Sequence, residues 1–254
     1  MKTPDEKQST FFPDKEADDK SGHAHRQLIG SVGLLLPPLL WLIAGWRPMD
    51  KELAWQLLDS ISAYYYTGAV SIFAGALVAM AVFLFSYMGY KNKYHRRDRI
   101  AAIIAGIAAI LVAVFPTGAP EGYPVLSWWI PPIGWIHYAS AGILFSSFIF
   151  FAFFQFPKSK EQERQNLSLG KKVRNGIYLF CAVAMLACIL WVGGAMFIHA
   201  PIFWPEALAL EFFAISWLVK GRIDQTATAA GRQTLQYVRH PRRMVEDVKR
   251  AMSR

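Results

Sequence analysis

Residues 59–90 read "DSISAYYYTGAVSIFAGALVAMAVFLFSYMGY". From Thr67 to Tyr90 the stretch carries no charge and exceeds the roughly 20 residues that cross a bilayer as a helix. A membrane helix is therefore expected here, yet a carboxylate, several hydroxyls and three consecutive tyrosines stand where lipid contact should begin. The fold class follows from the second half of the stretch. The search for a site follows from the first half.

Five more apolar runs lie to either side: Leu28–Trp46, Ile100–Phe115, Ile136–Phe156, Gly176–His199 and about Ile202–Val219. Hydrophobic residues make up 54% of the 254-residue chain and fall in blocks rather than in short alternations, which is membrane composition. Each run can satisfy its own backbone only as a helix, so the expected class is an all-α membrane protein, a six-transmembrane-helix bundle. The first run follows 27 residues of mixed charge without a short basic n-region or a small-residue cleavage site, and is read as a retained span rather than a signal peptide. Pro37 and Pro38 inside it predict a kink or an irregular turn.

Basic residues set the orientation. Five stand in the N-terminal tail, five in "KNKYHRRDR", six between the fourth and fifth runs and nine from Lys220 onward, whereas the other three connections hold only Arg47 and Lys51. The positive-inside rule then places both termini in the cytoplasm. The net charge of +9 belongs to that face, and a nucleic-acid partner is not needed to explain it. Trp46, Trp55, Trp128, Trp129, Trp135 and Trp204 fall in or beside the outer connections, an aromatic belt, and the proline- and tryptophan-rich loop at 116–135 is expected to fold over the bundle.

Three regions result: a cytoplasmic tail at 1–27 expected to be disordered, a transmembrane domain at 28–220, and a basic cytoplasmic tail at 221–254. In the last, Met244, Val245, Val248 and Met252 share a helical stripe among basic residues. This is either a short amphipathic helix resting on anionic inner-leaflet lipid or a solvated basic tail. Cys181 and Cys188, seven apart on one helix, suit neither a disulfide nor a metal pair.

Projected as a helix, Ser60, Tyr64, Thr67 and Ser71 fall on one stripe, continued by Gly75, Val78 and Val82, and polarity on one side is expected to avoid lipid. A short surface helix over "DKELAWQLLDSI", capped by Asp50, would deliver Asp59 and Ser60 to it. His137, Ser140, His199 and Glu206 are expected at the same depth, with Glu211 about 7.5 Å deeper at a 1.5 Å rise per residue. Asp59, Ser60, Tyr64, Thr67, Ser71, His137, Ser140, Glu206 and Glu211 are the candidate ligand-binding pocket. The structural reading of the same residues is an interfacial belt for Tyr65 and Tyr66, solvated or capping histidines, and a dipole-stabilising Glu206. Ala102, Gly106, Ala109 and Ala113 predict a close-packing seam.

The stretches "SISAYYYTGAVSIFAGAL", "VFLFSYMGY", "FPTG", "RNGIYLFCAVAMLACI" and "PEALALEFFAISWLVKG" together resemble a bacterial family of integral membrane proteins, domain of unknown function 998, over about residues 28–221. More distantly the chain is similar to the Frag1/DRAM/Sfk1 class of six-helix proteins. The resemblance implies a six-helix bundle in a bacterial inner membrane and brings no established activity. The family's pattern has an Arg-Asp pair where this chain has Val70-Ser71, and an apolar or aromatic residue where it has Glu211. Glu206 and His137 match it.

Three functions fit the residues. One is non-enzymatic binding of a lipid headgroup or small molecule in the outer half of the bundle, with no cofactor. A second is a membrane-embedded hydrolase in which His137, His199 and Glu206 or Asp59 hold zinc. The third is a proton-coupled transporter using Glu211. Against the hydrolase, there is no H-E-x-x-H or G-x-S-x-G motif. No Walker or dinucleotide fingerprint supports a nucleotide cofactor.

Overall fold

The computed structural model describes residues 15–87, 95–158 and 169–223. These form six helices and, among the described residues, no strand: α1 Lys15–Trp46, α2 Val70–Ser86, α3 His95–Val114, α4 Pro131–Phe150, α5 Leu169–Phe197 and α6 Phe203–Lys220. A single π turn, Phe151–Gln155, prolongs α4. Among the described residues three segments are long and apolar enough to cross a membrane, Gly22–Trp46, Pro131–Gln155 and Leu169–Phe197, and Val70–Ser86 is a shorter apolar helix.

Each helix packs on its neighbours in sequence, and α6 closes the ring against α1. The bundle therefore has two ends. At the terminal end α1 starts and α6 finishes, and Gln27 Nε2 donates to the Gly221 carbonyl at 2.7 Å to join them. At the opposite, far end lie the connections α1–α2, α3–α4 and α5–α6. Prolines 131 and 132 open α4 at positions whose amides need no intrahelical partner.

Close approach decides two of the helix contacts. A Cβ on Gly33 would stand 2.8 Å from the Phe213 ring, so α1 meets α6 only because Gly33 has none. Gly106 relates to Phe85 in the same way at 2.6 Å, and it lies in the expected seam, where Ala102, Ala109 and Ala113 are all buried. Phe148 and Phe213 stack at 3.8 Å between α4 and α6. The outward surfaces are apolar: Leu35 and Leu42 on α1, Val78 and Val82 on α2, Ile104 and Ile107 on α3, and Val183, Leu186 and Leu190 on α5 are exposed. An exterior of this kind is disfavoured in water and suits hydrocarbon.

Three local expectations change. Helix α1 is continuous through Pro37 and Pro38 and begins at Lys15, ahead of the apolar run expected to open at Leu28. In place of a surface helix after Asp50 there is one 3-10 turn, Lys51–Leu53, whose Glu52 amide donates to the Asp50 side chain at 3.3 Å. Trp55 takes a left-handed backbone (φ 64°) and stacks edge-on against Trp41, which holds that connection to α1 instead. Tyr66 is buried rather than interfacial, whereas Trp46, Trp55, Trp128, Trp135 and Trp204 are exposed at the far end. The amphipathic stretch at 241–252 lies outside the described residues.

Candidate functional site

The polar lead-in to α2 is not helical in the way its spacing suggests. Ser62–Tyr66 is a 3-10 turn, Thr67 is extended, and α2 begins only at Val70. The stripe of Ser60, Tyr64, Thr67 and Ser71 therefore does not exist. Tyr64 and Thr67 face inward and are buried, Ser60 is half-buried, while Asp59 and Ser71 are exposed, as are Gly75, Val78 and Val82 beyond them.

A broken helix leaves backbone groups that hydrocarbon cannot satisfy, and the polar residues of this end supply their partners. Ser60 Oγ accepts from the Ala63 amide at 3.0 Å. Thr67 Oγ1 donates to the Tyr64 carbonyl at 2.8 Å and accepts from the Ala69 amide at 3.1 Å. Glu206, in the first turn of α6, accepts the Ile61 N–H at 2.7 Å, and the Ile202 amide donates to the Asp59 carbonyl at 2.6 Å. The 59–67 segment is thus tied to α6 at two points.

His137 ties the same segment to α3 and α4. Its ring is 1% exposed, with Nδ1 2.6 Å from the Phe115 carbonyl and Nε2 2.8 Å from Ser62 Oγ. A carbonyl only accepts, so Nδ1 carries a proton; in the neutral ring Nε2 accepts from the Ser62 hydroxyl. Tyr66 donates to the Thr117 carbonyl at 2.5 Å, and the Trp129 indole donates to the Pro116 carbonyl at 3.2 Å, folding the 116–130 loop down onto the bundle.

One hydroxyl stays outside this network. Tyr64 is 0% exposed, its ring centroid stands 6.0 Å from that of Phe203, and its hydroxyl has no hydrogen-bond partner in the structure. Tyr123 lies near it and the Leu58 backbone approaches the hydroxyl oxygen as a donor, so what the hydroxyl lacks is an acceptor for its own proton.

The remaining candidates do not converge. Ser140 is buried on α4. His199 has a left-handed backbone (φ 53°) and an exposed ring whose Nδ1 lies 3.3 Å from the Met196 carbonyl. Glu211 lies on the outward stripe of α6 with Trp204, Leu208 and Ile215, away from the Glu206 contact. Among the described residues no group of three His, Cys, Asp or Glu side chains is placed to hold a metal ion, so the proposed set of His137, His199 and Glu206 is not assembled. Both nitrogens of His137 are in use, and His199 faces outward. Cys181 and Cys188 are buried free thiols.

A second polar cluster, at the terminal end, escapes a reading by runs. Arg26, Asp98, Gln155, Trp217 and Lys220 are all buried there. Lys220 Nζ donates to the Phe156 carbonyl at 2.8 Å and stands over the rings of Phe156 and Tyr178. The Arg26 guanidinium lies 5.6 Å from the Tyr87 ring centroid, and that ring packs edge-on against Trp217 at 5.3 Å. In sequence these cations count simply as cytoplasmic charge. No local motif announces that they turn inward.

No family model, curated protein or solved structure matches this chain. The site must be read from its own geometry.

Proposed function

We propose that this chain is a six-span protein of the bacterial inner membrane, with both termini cytoplasmic, that binds a lipid headgroup or small polar molecule in the outer half of its bundle, against Tyr64. The resemblance to the domain of unknown function 998 family and the distribution of basic residues support the six crossings and their direction. The observation that carries the binding reading is the Tyr64 hydroxyl, buried at the far end without an acceptor for its proton.

Leaving such a group unpaired costs about 1–3 kcal/mol, a cost that a ligand oxygen or nitrogen would remove. Thr67 and Glu206 each hold backbone groups, and His137 bridges the Phe115 carbonyl to the Ser62 hydroxyl, which makes the four residues a rigid frame. A frame of fixed polar groups around one available hydroxyl suits a small hydrogen-bonding ligand.

Mass spectrometry of the protein purified in mild detergent, wild type against Tyr64→Phe, tests the reading. A small molecule or lipid enriched with the wild type and lost from the variant is the expected result. Identical co-purifying species, together with a variant at least as thermally stable as wild type, would mean that the hydroxyl merely sits in an empty crevice.

A further inference from the structure

Glu211 is the carboxyl of α6 that the far-end network does not use. At a 1.5 Å rise per residue it stands about 12 Å along the helix from Phe203 and about 13.5 Å from Lys220, which is halfway. With α6 as a crossing helix, that depth is the middle of the hydrocarbon. The side chain is half-buried and lies on one stripe with Trp204, Leu208 and Ile215, all exposed. Among the described residues it makes no hydrogen bond or ion pair, and no charged side chain acts on it. Ionisable groups within a membrane turn into the bundle or pair with one another. Glu211 does neither within one copy of the chain, so its partner comes from outside.

The stripe states what kind of partner fits. Helices α1 and α5 cover the two flanks of α6 and leave this strip between them. Phe180, exposed and packed edge-on against Phe212 at 5.7 Å, widens it on the α5 side. Trp204, Leu208, Glu211 and Ile215 recur at intervals of four, three and four, the spacing at which two parallel helices mesh in a left-handed crossing. A single polar residue in such a seam fixes its register.

Two copies inserted in the same direction are related by a two-fold axis along the membrane normal, and each residue near that axis meets its own counterpart at equal depth. In its acid form a carboxyl donates from one oxygen and accepts at the other, so the group that complements one Glu211 is a second Glu211. We propose that the outward stripe of α6 is a self-association surface, on which two copies of this chain pair along Trp204, Leu208, Glu211 and Ile215 with the two Glu211 carboxyls hydrogen-bonded at its centre. This rests on α6 crossing the membrane and is independent of binding at Tyr64.

The test uses the full-length protein in liposomes, with Cys181 and Cys188 replaced by alanine and one cysteine introduced, either Leu208→Cys on the stripe or Val78→Cys on the exposed face of α2. Oxidative crosslinking at rising lipid-to-protein ratios is the readout. Leu208→Cys is expected to form covalent dimers well above the level of Val78→Cys, which reports random collision. Adding Glu211→Leu should lower the crosslinked fraction by about fivefold or more, whereas Glu211→Gln, whose amide still donates and accepts, should retain most of it. Crosslinking at Leu208 no greater than at Val78 overturns the proposal, and so does crosslinking that Glu211→Leu leaves undiminished. A water-soluble maleimide separates the two readings. If it labels Leu208→Cys in these membranes, α6 does not cross and both fail; if that cysteine is shielded and still does not crosslink, the pairing alone fails.

Discussion

Glu206 accepts one hydrogen bond, from the Ile61 amide at 2.7 Å, and through it joins the start of α6 to the lead-in of α2. Its residue type and depth make it visible in the sequence as an ionisable group in a membrane run. The function of that contact is invisible there, because Ile61 lies 145 residues away. Glu206→Ala should strand the Ile61 N–H and lower unfolding stability in detergent by about 1–3 kcal/mol. Glu206→Gln keeps an accepting oxygen in reach and should lose less than half of that. An alanine variant as stable as wild type would show that the carboxylate does not hold this segment. His137 presents the same lesson. As an isolated histidine near a helix start it suggests a solvated ring or a ligand, and only the approach of Ser62 and Phe115 reveals a buried clamp using both nitrogens.

At the scale of elements, small residues on α3 set how closely the helices approach. The spacing of Ala102, Gly106, Ala109 and Ala113 marks that seam in the sequence, and burial follows it. The identity of the opposing ring does not follow from spacing. Gly106→Val should collide with Phe85 and cost about 1–3 kcal/mol, as overpacking does, while adding Phe85→Ala should recover part of that loss. Thermal unfolding of the single and double variants measures the coupling, and strictly additive effects would place Phe85 elsewhere. Helix two starts later than its spacing suggests for a related reason. A 3.6-residue projection assumes continuous helix, whereas Thr67 and Gly68 break it, and Gly68 packs directly against the Arg47 carbonyl, where a side chain would not fit.

For the whole molecule, an apolar exterior, one end ringed by exposed tryptophans and basic residues gathered at the other predict a single orientation. With Cys181 and Cys188 replaced by alanine, a cysteine at exposed Glu121 should react with a membrane-impermeant maleimide in spheroplasts. One at Arg222 should react only after permeabilisation. The opposite pattern would invert the topology, and equal labelling of both would argue against it. The amino-acid sequence by itself determined the helical class, the apolar runs and the side on which charge accumulates, because these depend on transfer free energies that each segment carries alone. Only the tertiary structure decided that the polar start of helix two is a strapped 3-10 turn, that the Tyr64 hydroxyl is buried there without an acceptor, and that Arg26, Gln155, Trp217 and Lys220 share one buried end. Those properties arise from hydrogen bonds and ring contacts between segments distant in the chain, and a single run holds no record of which neighbour will meet it.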